Sequence, residues 1–436
     1  MTPSRFALAG GVVVAGERLE VLEDGYVLVD GGRIAAVGVH FDLADCSTFN
    51  LSGHLLIPGL INSHTHLGDS ALKEIGFGTD GWKLVMPPDG LRHRLMAELP
   101  PATVGSAMRA TMRQMLRTGT VAFADFREQG RPGVEALLEA ARGLPIRPVV
   151  FGRHARPPRH TEEDLKANRG GLSPDEIAEI ESILEVADGF SFVSANDTTD
   201  QGLSDAAAVV RRMGGRLAVH AAETDRYRDI SVGRTGRGDI ERLLECLRPD
   251  FLVHLTAATE QELELVAEAG IPAVFCARMQ SVLGNGLPPF LRALDHGLSV
   301  GLGTDNVMLT SPNLLRELDY VSRASRALAR DPSRPSPREL LSAVTTTAAR
   351  MLGLDRDLGA IEPEREATML VIDMATDNLA PVSDPLATLV NRTEANDIRA
   401  VVVAGKLVVG SIEGLEAAEP DRVPREILAD RGDGKR

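Results

Sequence analysis

A regular alternation of short apolar runs with amphipathic stretches fills the middle of the chain, and it restricts the possible folds more than any other feature. The apolar runs have the length of β-strands, and eight of them follow one another over about 300 residues, at 56–62, 120–124, 146–151, 190–194, 217–220, 251–254, 273–276 and 298–302. Amphipathic helical patterns lie between them, the clearest at 135–142, 174–186, 204–213, 239–247 and 260–269. Parallel strands that helices cover on both faces are apolar throughout, so this order predicts an α/β fold, a (β/α)8 TIM barrel.

An open, doubly wound sheet would show the same alternation. Such a sheet usually binds a dinucleotide at a Gly-x-Gly-x-x-Gly turn after an early strand. No such turn follows an early strand here. The barrel is therefore the preferred prediction.

Both ends of the chain have a different sequence pattern, with short Val/Ile-rich runs and Gly-containing turns. These runs lie at 7–15, 26–30 and 33–37, and again at 368–373 and 398–409. Two distant segments of similar character predict a small β-sandwich domain built from both termini, residues 1–57 together with 365–412. The barrel would then occupy 58–364, and the acidic, arginine-rich residues 413–436 are expected to form a surface helix and tail.

Composition excludes several classes of protein. There are 47 Lys and Arg against 62 Asp and Glu, a net charge of −15, whereas a protein that binds duplex nucleic acid normally has a basic surplus. No stretch approaches the roughly 18–20 apolar residues that cross a bilayer, so no membrane association is expected. Three scattered cysteines are too few for a disulfide framework, which favours a cytoplasmic location.

Histidines and one aspartate fall at the ends of four predicted strands. His64 and His66 close the first, His220 the fifth and His254 the sixth, and Asp305 follows the eighth. Residues two apart in an extended chain face the same side, so His64 and His66 can bind one ion together. A single His after a strand is more often structural, but in a barrel these strand ends meet at one mouth. The joint pattern predicts a metal site.

These segments resemble the amidohydrolase superfamily. The resemblance is carried by Pro58-Gly59-Leu60-Ile61-Asn62-Ser63-His64-Thr65-His66, Val219-His220-Ala221-Ala222-Glu223-Thr224, Val253-His254 and Leu302-Gly303-Thr304-Asp305, and it covers nearly the whole chain. Within the superfamily the chain is most similar to the branch that contains cytosine, guanine and S-adenosylhomocysteine/methylthioadenosine deaminases and the triazine hydrolases.

The resemblance implies a role for each of these residues. His64, His66, His220 and Asp305 would hold one divalent metal, with Zn²⁺ the first choice and Fe²⁺ or Mn²⁺ as alternatives. Asp305 would also accept a proton from the attacking water. His254 would hydrogen-bond that water or the developing oxyanion, and Glu223 would carry protons to the substrate and the leaving group.

The scarcity of lysine bears on the number of metal ions. Binuclear members of the superfamily bridge two metals with a carboxylated lysine after the fourth strand. Only five lysines occur in the chain, and Lys166 is the single one between Lys83 and Lys406, in a polar stretch away from any predicted strand. One metal is therefore expected, with a glutamate bridge as the remaining route to two.

Predictions about substrate contacts depend on weaker signals. Trp82, the only tryptophan, could stack on a flat ring, although such a residue is as often a packing element. Arg127, Arg153 and Arg278 follow three predicted strands and would favour a substrate with carboxylate, phosphate or several carbonyl groups. With 42 arginines in the chain, each of the three alone is more often a surface or ion-pair residue.

The chain departs from the nucleoside-deaminase pattern in two places. Asn196 stands where those enzymes usually have a histidine. Ala277-Arg278-Met279-Gln280-Ser281 stands where they usually have Pro-x-Ser-Asn. Both departures weaken a specific S-adenosylhomocysteine assignment and leave the metal chemistry unchanged.

The function predicted is metal-dependent hydrolytic deamination of an amino-substituted N-heterocycle of the purine, pterin, pyrimidine or triazine type. One alternative is hydrolysis of a cyclic amide, as in imidazolonepropionase-like members. Another is a catalytically silent barrel, against which the complete set of site residues argues. The resemblance also allows a homo-oligomer, although no segment has the pattern of an interface.

Overall fold

The structure is a computed structural model that describes residues 3–39, 46–86 and 90–412, and the backbone of residues 415–416. Its β-strands are β1 Arg5–Ala15, β2 Glu20–Asp30, β3 Arg33–Val39, β4 Ser47–Asn50, β5 His54–Pro58, β6 Leu60–His66, β7 Thr120–Arg127, β8 Arg147–Gly152, β9 Gly189–Phe192, β10 Arg216–Ala221, β11 Phe251–His254, β12 Ala273–Phe275, β13 Val300–Leu302, β14 Asp305–Asn306, β15 Met369–Asp373, β16 Ile398–Val403, β17 Lys406–Ile412 and β18 Leu415–Glu416.

Helices lie between these strands. They are α1 Gly81–Val85, α2 Leu91–Glu98, α3 Pro101–Arg117, α4 Gly130–Ala141, α5 Glu162–Ala167, α6 Pro174–Leu184, α7 Asp200–Arg212, α8 Asp225–Thr235, α9 Asp239–Arg242, α10 Glu260–Glu268, α11 Ala277–Leu283, α12 Phe290–Asp295, α13 Leu314–Ala329, α14 Pro337–Ala343, α15 Thr346–Leu352 and α16 Pro385–Arg392. No helix in the described part of the chain is both long and apolar enough to cross a membrane.

The central sheet is parallel and returns to its starting strand. Its order is β13-β12-β11-β10-β9-β8-β7-β6-β14, and β14 continues from β13 after Gly303 and Thr304. Because Asp305 in β14 pairs with Thr65 in β6, the last strand lies beside the first. All eight predicted apolar runs overlap a strand of this sheet, which confirms the prediction of a TIM-like barrel.

The first predicted run, 56–62, is two strands rather than one. Gly59 separates β5 from β6, and each strand belongs to a different sheet. A Cβ at Gly59 would lie 2.5 Å from a methyl group of Val121, so only glycine fits where the chain passes from one sheet to the other. Periodicity could not separate these strands, because the run is apolar throughout.

The terminal segments form a second sheet of nine strands. Its order is β18-β17-β16-β15-β5-β1-β2-β3, and β4 pairs with β1. It has an apolar cluster of its own, which includes Phe6, Leu8, Val27, Met369 and Val402. The predicted association of the two termini is therefore present. Of the tail predicted at 413–436, only residues 415–416 lie within the described residues, and their backbone pairs with β17.

Aromatic side chains fill the barrel beneath its carboxyl-terminal mouth. Phe126, Phe151 and Phe251 are fully buried and contact one another edge-on or stacked, with ring centroids 5.2–6.1 Å apart. The ring of Phe126 also lies 4.3 Å from that of His64. This apolar floor fixes the positions of the polar side chains that lie above it.

Candidate metal centre and active site

Five buried side chains converge where the barrel strands end. Within the described residues, His64, His66 and His220 form one group whose ligand atoms all lie within 4.8 Å of one another, and His64, His254 and Asp305 form a second. The Nε2 atom of His64 is 3.4 Å from His220 Nε2 and 3.4 Å from Asp305 Oδ1. His66 Nε2 is 3.6 Å from the same Oδ1 atom, and His254 Nε2 is 3.8 Å from Asp305 Oδ2. The structure thus brings together all the predicted metal ligands.

The donor set fits a divalent cation. His66 Nδ1 donates to the carbonyl of Phe126 and His220 Nδ1 donates to that of Val193, each at 2.9 Å. These bonds place the ring proton on Nδ1 and leave the Nε2 lone pair facing inward, as is usual for metal-binding histidine. The Nε2 atoms of His64 and His220 lie 3.4 Å apart, so one cation can contact both nitrogens.

The protonation states at the site also favour metal binding. Burial lowers the pKa of His64 to about 3, and burial with the neighbouring histidines holds the pKa of His220 well below its usual range. Burial alone would raise the pKa of Asp305, but its hydrogen bond to His64 and the nearby imidazoles outweigh burial and lower it. Neutral imidazoles and an ionised carboxylate are the forms that bind a metal.

The backbone bends sharply at these strand ends. His254 has φ +85°, Asp305 φ +61° and Ala222 φ +41°, all in the left-handed region, which costs about 1–3 kcal/mol for each such residue. The chain also passes very close to His64 at Gly303, where a Cβ would lie 2.8 Å from the His64 backbone nitrogen. Strain of this kind persists at functional sites where the surrounding packing enforces it.

Glu223 lies at the edge of this group and faces the same small cavity. Its side chain is 12% exposed, and its Oε1 atom is 3.9 Å from His254 Nε2. Gln280 donates from Nε2 to the same Oε1 at 3.0 Å. Tyr227 also lines the cavity, and burial together with the charge of Glu223 raises the pKa of its hydroxyl well above the usual range.

A buried cluster of charges borders the site on the side of His66. Glu128 Oε1 accepts from Arg92 at 2.6 Å and from Arg153 at 2.7 Å, and it lies 3.4 Å from His66 Nδ1. Burial would raise the pKa of Glu128, but the two guanidinium groups outweigh burial and hold it well below its usual range. Arg92 also donates to Asp69 at 2.9 Å. Both guanidinium groups therefore have buried carboxylate partners.

Arg127 lies away from the cavity, although the sequence predicts a substrate contact. The predicted strand ended at Ala124, whereas β7 continues through Arg127. Strand side chains alternate, so Phe126 points into the barrel and Arg127 points toward α4. There it is buried and donates to the carbonyl of Gly133 at 3.1 Å and to Gln129 at 3.3 Å.

Asn196 and Arg278 also do not line the cavity. Asn196 donates to the carbonyl of Tyr227 at 2.9 Å and accepts from Arg242 at 3.3 Å. Arg278 donates to the carbonyl of Ser311 at 3.1 Å and faces a separate groove. Both side chains make hydrogen bonds to backbone carbonyl groups of other segments, Asn196 to Tyr227 and Arg278 to Ser311. Of the three predicted arginines, only Arg153 borders the metal site.

Trp82 lies beside the site rather than in it. Its ring is 5.6 Å from that of Tyr227, and the guanidinium of Arg226 lies over it at 3.6 Å. Val85 and Met86, at and just after the end of the same short helix, do line the cavity. Trp82 thus packs behind the segment that covers the site. Residues 87–89 of this covering loop lie outside the described residues.

Two adjoining cavities open at this end of the barrel. The one at the metal centre has a volume of about 40 Å³, and its neighbour has a volume of about 280 Å³. His93, Arg153 and Val193 line both. The larger cavity lies between the segments that follow β7, β8 and β9, so it could take a substituent of a ring bound at the metal centre.

The sequence alone did not identify Glu128, Arg92 or Gln280 as site residues. Glu128 and Arg92 come together from segments 36 residues apart, and no spacing pattern marks that contact. The sequence does contain a feature that could have identified Gln280, because this residue lies in the segment that departs from the nucleoside-deaminase pattern. A polar residue at such a departure, close after a barrel strand, deserves a place among the candidate site residues.

The sequence of the chain is similar to those of several known proteins. Residues 55–408 match the sequence profile described as the Amidohydrolase family. The chain is 32% identical over 388 residues, 89% of its length and 93% of the relative's, to a Methanothermobacter thermautotrophicus protein provisionally named an aminohydrolase. It is 26% identical to the 5-methylthioadenosine/S-adenosylhomocysteine deaminase of Caldanaerobacter subterraneus, with 94% of each chain covered.

The fold is likewise similar to solved structures. Atrazine chlorohydrolase from Arthrobacter aurescens, solved with zinc, superposes with a TM-score of 0.79 at 24% identity, and the match covers 93% of this chain and 95% of that one. At this identity the likeness concerns the fold. The profile match spans most of the sequence, and the chain therefore belongs to the amidohydrolase family.

Proposed function

We propose that this protein is a metal-dependent hydrolase that deaminates an amino-substituted N-heterocycle with an activated water. One observation carries the proposal: His64, His66, His220 and Asp305 converge at the barrel mouth with Glu223 and His254 directly beside them. Relatives named as deaminases, including a 5′-deoxyadenosine deaminase from Methanopyrus kandleri, support the reaction class.

His64, His66, His220 and Asp305 would hold one divalent cation, with Zn²⁺ as the first candidate. Three imidazole nitrogens and a carboxylate suit zinc, and zinc is bound in the similar chlorohydrolase structure. When bound, such a cation lowers the pKa of a coordinated water toward neutrality.

The protein's own groups would then move the protons. Asp305, ionised because its contacts lower its pKa, accepts a proton from the attacking water. Glu223 delivers a proton to a ring nitrogen, which makes the adjacent amino-bearing carbon more electrophilic, and it regains one from the hydroxyl group that has added to that carbon. The proton held by Asp305 passes to the amino group, which leaves as ammonia, so both carboxyl groups return to their starting states. His254 donates from Nε2 to the oxygen that adds to the ring. All three side chains line the cavity of about 40 Å³, which has room for a water molecule.

The positions of the lysines support a single metal. The described lysines are Lys73, Lys83, Lys166 and Lys406, and none of them lines the cavity at the metal centre. Lys166 is exposed on α5. A carbamate bridge between two ions would need a lysine at the end of β9, where Val193 and Ser194 stand.

The pairing of Arg92 and Arg153 with carboxylates beside the cavity favours an uncharged substrate. Arg92 and Arg153 are each bound to Glu128, and Arg92 also to Asp69, so neither guanidinium has an unopposed charge to offer. The three predicted arginines together favour a substrate with carboxylate, phosphate or several carbonyl groups. Since only Arg153 borders the site and it is neutralised, we infer that the ring and its substituent are neutral.

The finer architecture and context are part of the same proposal. We infer that the terminal sheet closes into the β-sandwich domain predicted at 1–57 and 365–412, with the barrel at 58–364 and a tail at 413–436. Its separate apolar cluster supports this division. The cytoplasmic location and the homo-oligomer stay predictions from the sequence.

The decisive experiment is a screen for ammonia release by the zinc-loaded protein. The substrates should include 5-methylthioadenosine, 5′-deoxyadenosine, guanine, cytosine, a pterin and a triazine. Glu223→Gln should keep its metal and lose turnover by at least about 10²- to 10⁴-fold, since it removes the proton-transfer group. Glu264→Gln, an exposed position on α10, is the matched control and should keep wild-type turnover.

Three outcomes would contradict the proposal. Opening of a cyclic amide without ammonia would select the cyclic-amide hydrolase. Absence of turnover with every heterocycle would support a silent barrel. Two tightly bound metals per chain in elemental analysis would refute the single-metal site.

A further inference from the structure

We propose that Gln280 is a positioning residue that holds Glu223 and His254 in their working orientations by donating one amide hydrogen to each. The inference depends on the proposed function, because it assigns Glu223 and His254 to proton transfer and oxyanion binding. It concerns a side chain for which neither the sequence motifs nor the family comparisons give a role.

The first observation is the bridge itself. Gln280 Nε2 lies 3.0 Å from Glu223 Oε1 and 3.1 Å from His254 Nδ1. A primary amide nitrogen has two hydrogens and no acceptor, so one nitrogen can serve both partners at once. The side chain is fully buried, and these two contacts use its entire donor capacity.

The second observation fixes which way the amide faces. Asn285 donates from Nδ2 to Gln280 Oε1 at 2.9 Å, so the oxygen already has a donor. Reversing the amide would point its oxygen at the carboxylate of Glu223 and its nitrogen at the Asn285 NH₂ group. Both new contacts would be repulsive, and this selects the observed orientation.

The bridge determines the tautomer of His254. Since Nδ1 accepts from Gln280, the ring proton of neutral His254 lies on Nε2. That nitrogen faces the active site, 3.8 Å from Asp305 Oδ2 and 3.9 Å from Glu223 Oε1. The Nε2–H group of His254 therefore points to where the oxygen that adds to the ring carbon would carry negative charge. With the proton on Nδ1 instead, the active-site nitrogen would be an acceptor and could not act in this way.

Helix α11, which carries Gln280, is hydrogen-bonded to α13. Glu317 on α13 accepts from the backbone N–H of Arg278 in the first turn of α11, at 3.1 Å. Tyr320, one turn further along α13, donates to Ser281 at 2.7 Å. These contacts fix α11 on both sides of Gln280, so the amide is held in place rather than free to follow its partners.

Gln280→Met tests the bridge, because methionine has a similar length and no donor. We expect kcat with 5′-deoxyadenosine, or otherwise with the first heterocycle that the wild type deaminates, to fall roughly 10- to 100-fold. We expect KM to change less than about threefold, because the lost contacts matter most in the transition state. Val282→Ala, a half-buried position on the same helix, is the matched control, and it should keep kcat within about twofold.

A double-mutant cycle separates positioning from general damage to the fold. If Gln280 acts through Glu223 and His254, then Gln280→Met should cost less activity in a Glu223→Gln background than in the wild type, because only the contact with His254 remains to be lost. An undiminished loss in that background would overturn the proposal. Equal kcat for Gln280→Met and the wild type would overturn it as well. Metal content and the thermal unfolding midpoint show whether each variant is folded and loaded.

A second measurement needs neither turnover nor a substitution at Gln280. In zinc-loaded wild type with ¹⁵N-labelled histidine, NMR should show His254 protonated on Nε2 and bare at Nδ1, with His254→Gln identifying the signal. A proton on Nδ1 would refute the inference, even if the enzyme deaminates its substrate as proposed. Conversely, the expected tautomer would stand even if no heterocycle were turned over.

Discussion

Glu317 makes a quantitative test possible, because it is a fully buried carboxyl group with one unpartnered oxygen. One oxygen, Oε1, accepts from the backbone of Arg278, whereas Oε2 has no hydrogen-bond partner among the described residues and lies 4.0 Å from the Arg278 guanidinium. Burial raises the pKa of Glu317 from 4.5 to about 7, despite the opposing charge of Arg278. Between about pH 4.5 and pH 7, the native protein therefore holds a proton on Glu317 that the unfolded chain has lost.

The sign and size of the effect follow from this difference in pKa. Stability falls as the pH rises from about 4.5 to about 7, because the unfolded state binds fewer protons than the native state over this range. A change from 4.5 to about 7, at 1.36 kcal/mol for each pKa unit, gives about 3 kcal/mol. Above pH 7 this loss is complete. Glu317→Gln should remove it, because glutamine resembles the protonated carboxyl group at every pH.

Urea unfolding at pH 5 and pH 8, with chelator in all samples, measures the difference. The variant should be only about 1 kcal/mol more stable than the wild type at pH 5, but about 3 kcal/mol more stable at pH 8. Glu264→Gln, which removes an exposed charge, should show little difference at either pH. If Glu317→Gln changes stability by the same amount at both pH values, the burial argument is wrong.

Three further predictions concern the metal centre. His64→Ala should purify with little metal, and elemental analysis that finds a full equivalent would exclude His64 as a ligand. Glu128→Gln should lower the free energy of unfolding by roughly 3–5 kcal/mol, because Arg92 and Arg153 would remain buried without their shared anion; urea titration measures this, and a loss below about 1 kcal/mol would refute it. The chelated protein should lose stability as the pH falls from 6.5 toward 3, since the pKa of His64 is lowered to about 3 and the unfolded chain takes up the proton first. Stability that stays constant in urea titrations across that interval would contradict the assignment.

The metal ligands could be predicted from the sequence because their positions follow one simple rule. Parallel strands end on the same side of a barrel, so side chains at the ends of separate strands meet there. His64, His220 and Asp305 are each attached to a recognisable apolar run, and their order along the chain was enough to bring them together. The rule does not extend to the loops that follow the strands. Their path depends on tertiary contacts, which the spacing of apolar residues along the sequence does not predict.

Arg127 and Arg153 show where that limit lies. Both are predicted to follow a strand, but β7 continues through Arg127, and the extension turns its side chain toward α4. An error of three residues at a strand end reverses the direction of a side chain. The neutralisation of Arg153 was equally hidden, since its partner Glu128 lies on another segment and is in contact only in the folded chain.

The pairing of β5 with the distant strand β15 has a consequence for folding while the chain is being synthesised. Strand β5 is completed by β15, with Leu370 opposite Ile57, and about 310 residues separate Pro58 from its partner Met369. At roughly 5–20 residues per second, a ribosome needs about 15–60 s to synthesise that interval. During this time the nascent chain has one unpaired, apolar strand edge beside a barrel that is still growing. Residues 54–58 are therefore the segment that a chaperone would have most reason to cover before the carboxyl-terminal strands arrive.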